Sequence, residues 1–244
     1  MIDLATIHHV LFLSMFGWNY LFEILYDKFR RTLPIPHADN AGDLQASHRQ
    51  RFIALSQNAK NAIHAGFLIV TTATFGSPAY PYLALSSSMF YILDTYILLK
   101  YMTHYTTGQL IPYLCHHLIS IASLCYCVIG YHTNLIIHIH YILDCSNIFL
   151  YATFHFMKVH QRTARRSILN LLILAVELAG YAYFRLYVFT SYLIANRFTI
   201  YTAHIVDITM LVVLYLMGVV WSSRLARRVI YDASIIYNHI PRLE

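Results

Sequence analysis

Apolar residues in this chain come in long runs separated by short polar stretches, not in the alternating or one-sided patterns of soluble strands and helices. A helix that crosses the hydrocarbon core of a bilayer needs roughly 20 mostly apolar residues. Runs of about that length are predicted over 4–25, 60–77, 81–100, 111–130, 134–156, 168–190 and 203–221. The predicted fold class is therefore all-α, a polytopic transmembrane helix bundle of about seven spans. Ser77-Pro78 and Pro81 mark the turn between the second and third spans. Pro112 is expected at the start of the fourth, where its missing N–H costs little. The first run carries no basic leader and no small-residue cleavage site, so it is expected to be a retained span. The longest polar stretch runs from Lys28 to Lys60 and reads as a loop, with an interfacial helix expected from Gln45 to Lys60.

Composition narrows the class further. Hydrophobic residues make up 58% of the chain and charged residues 11%. A soluble domain carries about 25% charged residues, so an ordinary soluble globule is excluded. The net charge of +6 could suggest nucleic acid, but the 17 basic residues fall in short clusters between apolar runs rather than in one patch. Nucleic acid is therefore not an expected partner. Lys28, Arg30, Arg31, Arg49, Arg51 and Lys60 follow the first span. Lys100 follows the third, Lys158, Arg162, Arg165 and Arg166 the fifth, and Arg224, Arg227, Arg228 and Arg242 the seventh. The opposite loops hold only Arg197. The positive-inside rule then puts the N-terminus on the lumenal or extracellular side and the C-terminus in the cytosol. Cys115, Cys125, Cys127 and Cys145 lie in apolar stretches without disulfide or zinc spacing and read as small core residues.

Ionisable residues inside an apolar span are expensive, which makes them candidates for function. Here they are His64, Asp94, His116, His117, His138, His140, Asp144, Glu177, Arg185 and Asp207. His64, Asp94 and the His116-His117 pair are expected near the cytosolic ends of their helices, and Asp144 midway along the fifth. If those helices pack together, imidazoles and carboxylates converge. A histidine titrates near neutral pH, and a carboxylate can orient it and stabilise its protonated form. Such a pair could take a proton from an amine or hydroxyl attacking an acyl thioester. Against this, His116 and His117 are adjacent, about 100° apart on a helix, so they do not address one point equally. Asp94 and Asp144 could equally be buried structural groups. His138 and His140 read as satisfied by polar neighbours. Glu177 and Arg185, two turns apart, read as a structural ion pair, and Asp207 with His204 as an interfacial polar pair. The histidines form none of the boxes of a membrane di-iron site, and no phosphate-binding or nucleophile-elbow motif is present, so no metal and no bound cofactor is expected.

Several of these residues, in this order, resemble the TLC domain family, which includes ceramide synthases and lipid-regulating membrane proteins. The resemblance runs from Asn58 to Arg228. It rests on Asn58 with His64-Ala65, on Tyr91-Ile-Leu-Asp94, on His116-His117, on Asp144 and Ser146 in Leu143-Asp144-Cys145-Ser146-Asn147, on Arg185, and on Trp221 as the end of the last helix. It implies three parts: a first span and polar loop over 1–57, a TLC-like transmembrane domain over 58–228, and a cytosolic tail over 229–244. It also implies that His116, His117, Asp144 and Asp94 are the catalytic candidates, with His64, Ser146, Asn147 and Arg185 lining the substrate. The segment departs from the synthases, which have His where this chain has Leu143 and a second Asp at Asn147. They have Glu and Lys at Tyr151 and Phe154, and Asn and Arg at Tyr131 and Asn134. The chain also lacks a homeobox-like insert. It is closer to the divergent, non-synthase branch.

Two functions follow from the resemblance. One is a membrane protein that binds lipids and tunes lipid homeostasis or trafficking. The other is an N-acyltransferase of ceramide synthase type, with acyl-CoA as co-substrate and a sphingoid base as acceptor. Either implies membrane lipids as partners and residence in the endoplasmic reticulum or a related endomembrane. A seven-span receptor or transporter has no supporting motif. A homodimer is left open, without a GxxxG seam to support it.

Overall fold

A computed structural model of the protein describes residues 3–33, 41–101, 107–129, 133–159, 168–201 and 205–239. All regular structure among them is helical: α1 (Leu4–Thr32), α2 (Ala41–Phe75), α3 (Tyr80–Lys100), α4 (Thr107–Val128), α5 (Thr133–Val159), α6 (Ile168–Ala182), α7 (Phe189–Ala195), α8 (Arg197–Tyr201) and α9 (Ile205–His239). A short 3₁₀ turn (Ser77–Ala79) precedes α3, and a π-helical segment (Tyr183–Val188) joins α6 to α7. Among the described residues, five stretches are long and apolar enough to cross a membrane: Ser77–Lys100, Leu110–Val128, Asn134–Met157, Ile168–Ala195 and Ile208–Tyr237. The protein is a multi-pass membrane protein. The first two expected spans fall on α1 and α2, which are helical but lie outside those five.

Local signals explain the start of α1 and the junction of α2 with α3. Asp3 caps α1: its carboxylate accepts from the Thr6 backbone N–H at 2.8 Å and the Thr6 hydroxyl at 2.6 Å, which holds its pKa below the usual carboxylate value. Between α2 and α3 the chain reverses at Gly76, whose φ of 62° and ψ of −149° are open only to glycine, with Pro78 opening the turn that follows. Three expectations are corrected. The stretch expected as an interfacial helix and the second span are one continuous helix, α2. α4 begins at Thr107, so Pro112 sits inside it rather than at its start. α9 does not stop at Trp221 but runs on to His239, because no proline or glycine intervenes.

The chain forms two compact units, residues 1–141 and 142–244. In the first, α3 packs on α4, α1 and α2. Buried Ala84, Ser87 and Ser88 make a stripe of small side chains on α3, which lets a neighbouring backbone come close where lipid offers no hydrophobic drive. Leu83, Phe90, Tyr91, Leu124 and Ile137 fill the space beside it. In the second unit α6 packs on α9. The outer surfaces carry large apolar side chains, among them Leu13, Phe16, Leu118, Val176 and Leu216. In water such exposed apolar side chains would be unfavourable, whereas lipid chains solvate them. Arg162, Arg165, Arg166, Arg242, His204 and Tyr131 lie outside the described residues, as does the side chain of Asp207.

Candidate functional site

In the first unit, α2 presents Gln57, Lys60 and His64 at spacings of three and four residues, one face of a helix. α3 presents Ser87, Tyr91, Asp94 and Thr95 on a similar stripe. The two faces meet. Asp94 is buried and receives three groups: Lys60 Nζ at 2.5 Å and Gln57 Nε2 at 3.4 Å on Oδ1, and His117 Nε2 from α4 at 3.3 Å on Oδ2. Lys60 is fully buried, and its ammonium lies 4.6 Å above the Phe90 ring. His64 also stacks on Phe90, at 3.7 Å between centroids, and is bonded through Nε2 to Ser87 Oγ at 3.0 Å. Trp18 of α1 closes this cluster edge-on, 5.3 Å from His64 and 5.4 Å from Phe90.

The hydrogen bonds define what His117 can do. The Thr95 hydroxyl lies 2.7 Å from the Tyr91 carbonyl and 3.1 Å from His117 Nδ1. His117 Nε2 lies 3.3 Å from Asp94 Oδ2, on a carboxylate already paired with Lys60. A neutral ring with its hydrogen on Nε2 donates to Asp94 and turns Nδ1 to the Thr95 hydroxyl, so both ring nitrogens have protein partners.

Tyr91 sits at the centre of the remaining histidines. Its ring lies 5.7 Å from that of His116, 5.6 Å from His117, 5.8 Å from His64 and 6.2 Å from His140. His116 and His117 thus share a neighbour although only His117 reaches Asp94. His140 bonds Ser123 Oγ at 3.0 Å, and His138 bonds the Asn134 carbonyl at 2.7 Å, as polar neighbours were expected to satisfy them.

The second unit holds the other candidates. Arg185 is buried at the middle of the π-helical segment, a departure from α-helical register often found at functional positions. It donates from Nε to Ser146 Oγ at 2.8 Å and from Nη2 to Asn147 Oδ1 at 2.9 Å. Asn147 in turn donates to Asp144 Oδ1 at 3.2 Å. Asp144, Ser146, Asn147 and Arg185 are thus one buried array, in which Asp144 Oδ2 and Arg185 Nη1 have no protein partner. The expected Glu177–Arg185 ion pair is not formed among the described residues. Glu177 instead bonds Thr153 and feels the charge of Arg228. Residues eight apart on an α-helix share a side but lie about 12 Å apart along its axis, too far for a direct pair.

Lys60, Gln57, Thr95 and Tyr91 are residues that sequence reasoning did not single out as site residues. Lys60 was counted as a loop charge, and its burial overturns that. The available signal was its spacing from Gln57 and His64. Among the described residues no three His, Cys, Asp or Glu side chains gather in a way that could hold a metal ion.

A family profile described as TLC domain matches residues 53–227. The chain belongs to the TLC domain family. No curated protein and no solved structure gives a match. Both buried clusters, from Gln57 to His117 and from Asp144 to Arg185, fall inside the TLC domain match.

Proposed function

We propose that this TLC domain protein binds membrane lipids and serves lipid homeostasis, using the Lys60–Asp94–His117 cluster to hold a polar lipid head group rather than to catalyse acyl transfer. The supporting observation is that both His117 nitrogens already have protein partners, Asp94 at 3.3 Å and Thr95 at 3.1 Å. A general base needs a free lone pair within hydrogen-bond reach of the proton it removes. A buried Lys60–Asp94 pair flanked by an imidazole and set among apolar helices instead suits a polar head group. Under this reading the protein resides in the endoplasmic reticulum or a related endomembrane.

A second reading has one observation in its favour. The His117–Asp94 contact is the pairing in which a carboxylate stabilises a protonated imidazole. In the acyltransferase reading the acceptor amine attacks the thioester carbonyl, a C–N bond forms, the C–S bond breaks, and CoA leaves as the thiol. His117 would have to release Thr95 to take the amine proton.

The test is acyl transfer by the purified protein in lipid, offered labelled acyl-CoAs and sphingoid bases, with bound lipids measured in parallel by mass spectrometry. The expected result is retained lipid, altered in amount by Asp94→Asn, and no acylated product. An acylated product that disappears in His117→Ala would overturn the proposal and establish the enzyme.

A further inference from the structure

Lys60, His64 and Asp94 are 0%, 2% and 3% exposed, so a lipid head group can reach them only if part of the surrounding wall moves aside. The walls of the first unit are not equally secured. Among the 29 residues of α1 only Phe22 is buried, whereas α3 buries eleven of its 21. The polar bonds of α1 stay within the helix: Asp3 with Thr6, His9 with the Ala5 carbonyl, Asp27 with Arg30 and Arg31, and Thr32 with the Lys28 carbonyl. A helix in lipid is held by packing and by polar bonds to its neighbours, because lipid chains solvate its apolar side chains as well as protein does. By both measures α1 is the wall that costs least to move.

Trp18 is the α1 side chain that meets the site. It lies edge-on to three rings, 5.3 Å from His64, 5.4 Å from Phe90 and 6.0 Å from Phe67. His64 and Phe90 are stacked on each other, and the Lys60 ammonium lies 4.6 Å from the Phe90 centroid. A chain of contacts thus runs from Trp18 through the stacked rings to the buried charge. The packing beside it is open. A Cβ on Gly17, next to Trp18, would meet nothing within 4 Å, and the same holds for Gly66, next to Phe67.

We infer, on the reading proposed above, that α1 is a lateral lid on the Lys60 site and that Trp18 is its latch. A polar lipid enters from the bilayer by parting α1 from α2 and α3. Its head group passes inward while its chains stay among lipid chains, so opening exposes no apolar surface to water. Without Trp18 against it, the His64–Phe90 stack is free to turn aside from Lys60. Trp18 is a positioning residue here: it sets how fast the site opens and makes no bond to the head group.

The experiment is lipid exchange by the full-length protein, followed by native mass spectrometry. The probe is the lipid extract of the expression host, deuterium-labelled and supplied as vesicles. Site lipid is the portion lost in Asp94→Asn. Its exit is timed by chasing loaded protein with the labelled vesicles, and its entry by offering them to delipidated protein. A lid raises both rates by the same factor when it is weakened, whereas a group that touches the lipid changes their ratio. Trp18→Ala should speed entry and exit alike, by roughly tenfold or more, because three ring contacts are lost. Trp18→Phe, the safer variant for folding, should fall between Trp18→Ala and the wild type. Leu13→Ala, on the exposed side of α1, should leave both rates unchanged. Site lipid that exchanges at wild-type rates in both Trp18 variants, or a change in exit alone, would overturn the lid and leave the binding site standing. No lipid that depends on Asp94 would overturn the binding site and the lid together.

Discussion

Replacing Lys60 with methionine isolates the buried charge at the centre of the first unit. The lysine ammonium is fully buried and lies 2.5 Å from Asp94 Oδ1. Methionine keeps much of the chain length and its contact with Phe90 but removes the positive charge. Asp94 is then left in the interior with Gln57 at 3.4 Å and His117 at 3.3 Å. Removing one partner of a buried ion pair costs about 3–5 kcal/mol, because the remaining charge keeps its desolvation penalty. For a chain of this size that corresponds to a melting temperature lower by roughly 6–20 °C. Asp94→Leu should cost a similar amount by stranding the ammonium. The double variant, Lys60→Met with Asp94→Leu, should recover most of the loss, since a packed apolar pair can replace a buried ion pair at little cost. Thermal unfolding of the four proteins in one detergent gives the coupling directly. A Lys60→Met protein that melts within two degrees or so of wild type would refute the reasoning, as would a double variant whose loss is the sum of the single ones.

Three further outcomes are expected. Gly180→Ala should destabilise the second unit by about 1–3 kcal/mol, because a Cβ there would meet the Phe149 ring at 2.7 Å, and Gly180→Ala with Phe149→Leu should recover part of the loss in the same melting assay. Arg185→Lys should lower folded yield nearly as much as Arg185→Leu, since one ammonium cannot serve Ser146 and Asn147 with the geometry of the guanidinium fork; full yield from the lysine variant would mean that charge alone matters. Glu177→Gln should leave melting unchanged or raise it, because it removes a buried charge that has no salt bridge among the described residues, one oxygen of which lacks a partner; a large loss would show that the attraction to Arg228 stabilises the fold.

The sequence by itself determined that this is a multi-pass helical membrane protein and which polar residues stand out. The reason is physical: in lipid each span must satisfy its own backbone hydrogen bonds, so its signal is local and additive along the chain. Ten ionisable residues in apolar runs are visible for the same reason, since each is costly on its own. The family signature was also legible, because His64, Asp94, His116-His117, Asp144 and Arg185 keep their order in the chain.

Which of those residues touch was decided only by tertiary structure. Contact depends on the rotation and sliding of whole helices, quantities that no local pattern encodes. Lys60 read as a loop charge until the length of α2 carried it into the core against Asp94. Arg185, in the π-helical segment, reaches Ser146 and Asn147 of α5 rather than Glu177. The packing of α6 on α9, with Gly218 against the Arg185 side chain, likewise depends on side chains from both helices at once. His117 is the sharpest case. That its two ring nitrogens meet Asp94 and Thr95 is a fact that exists only once the helices are packed.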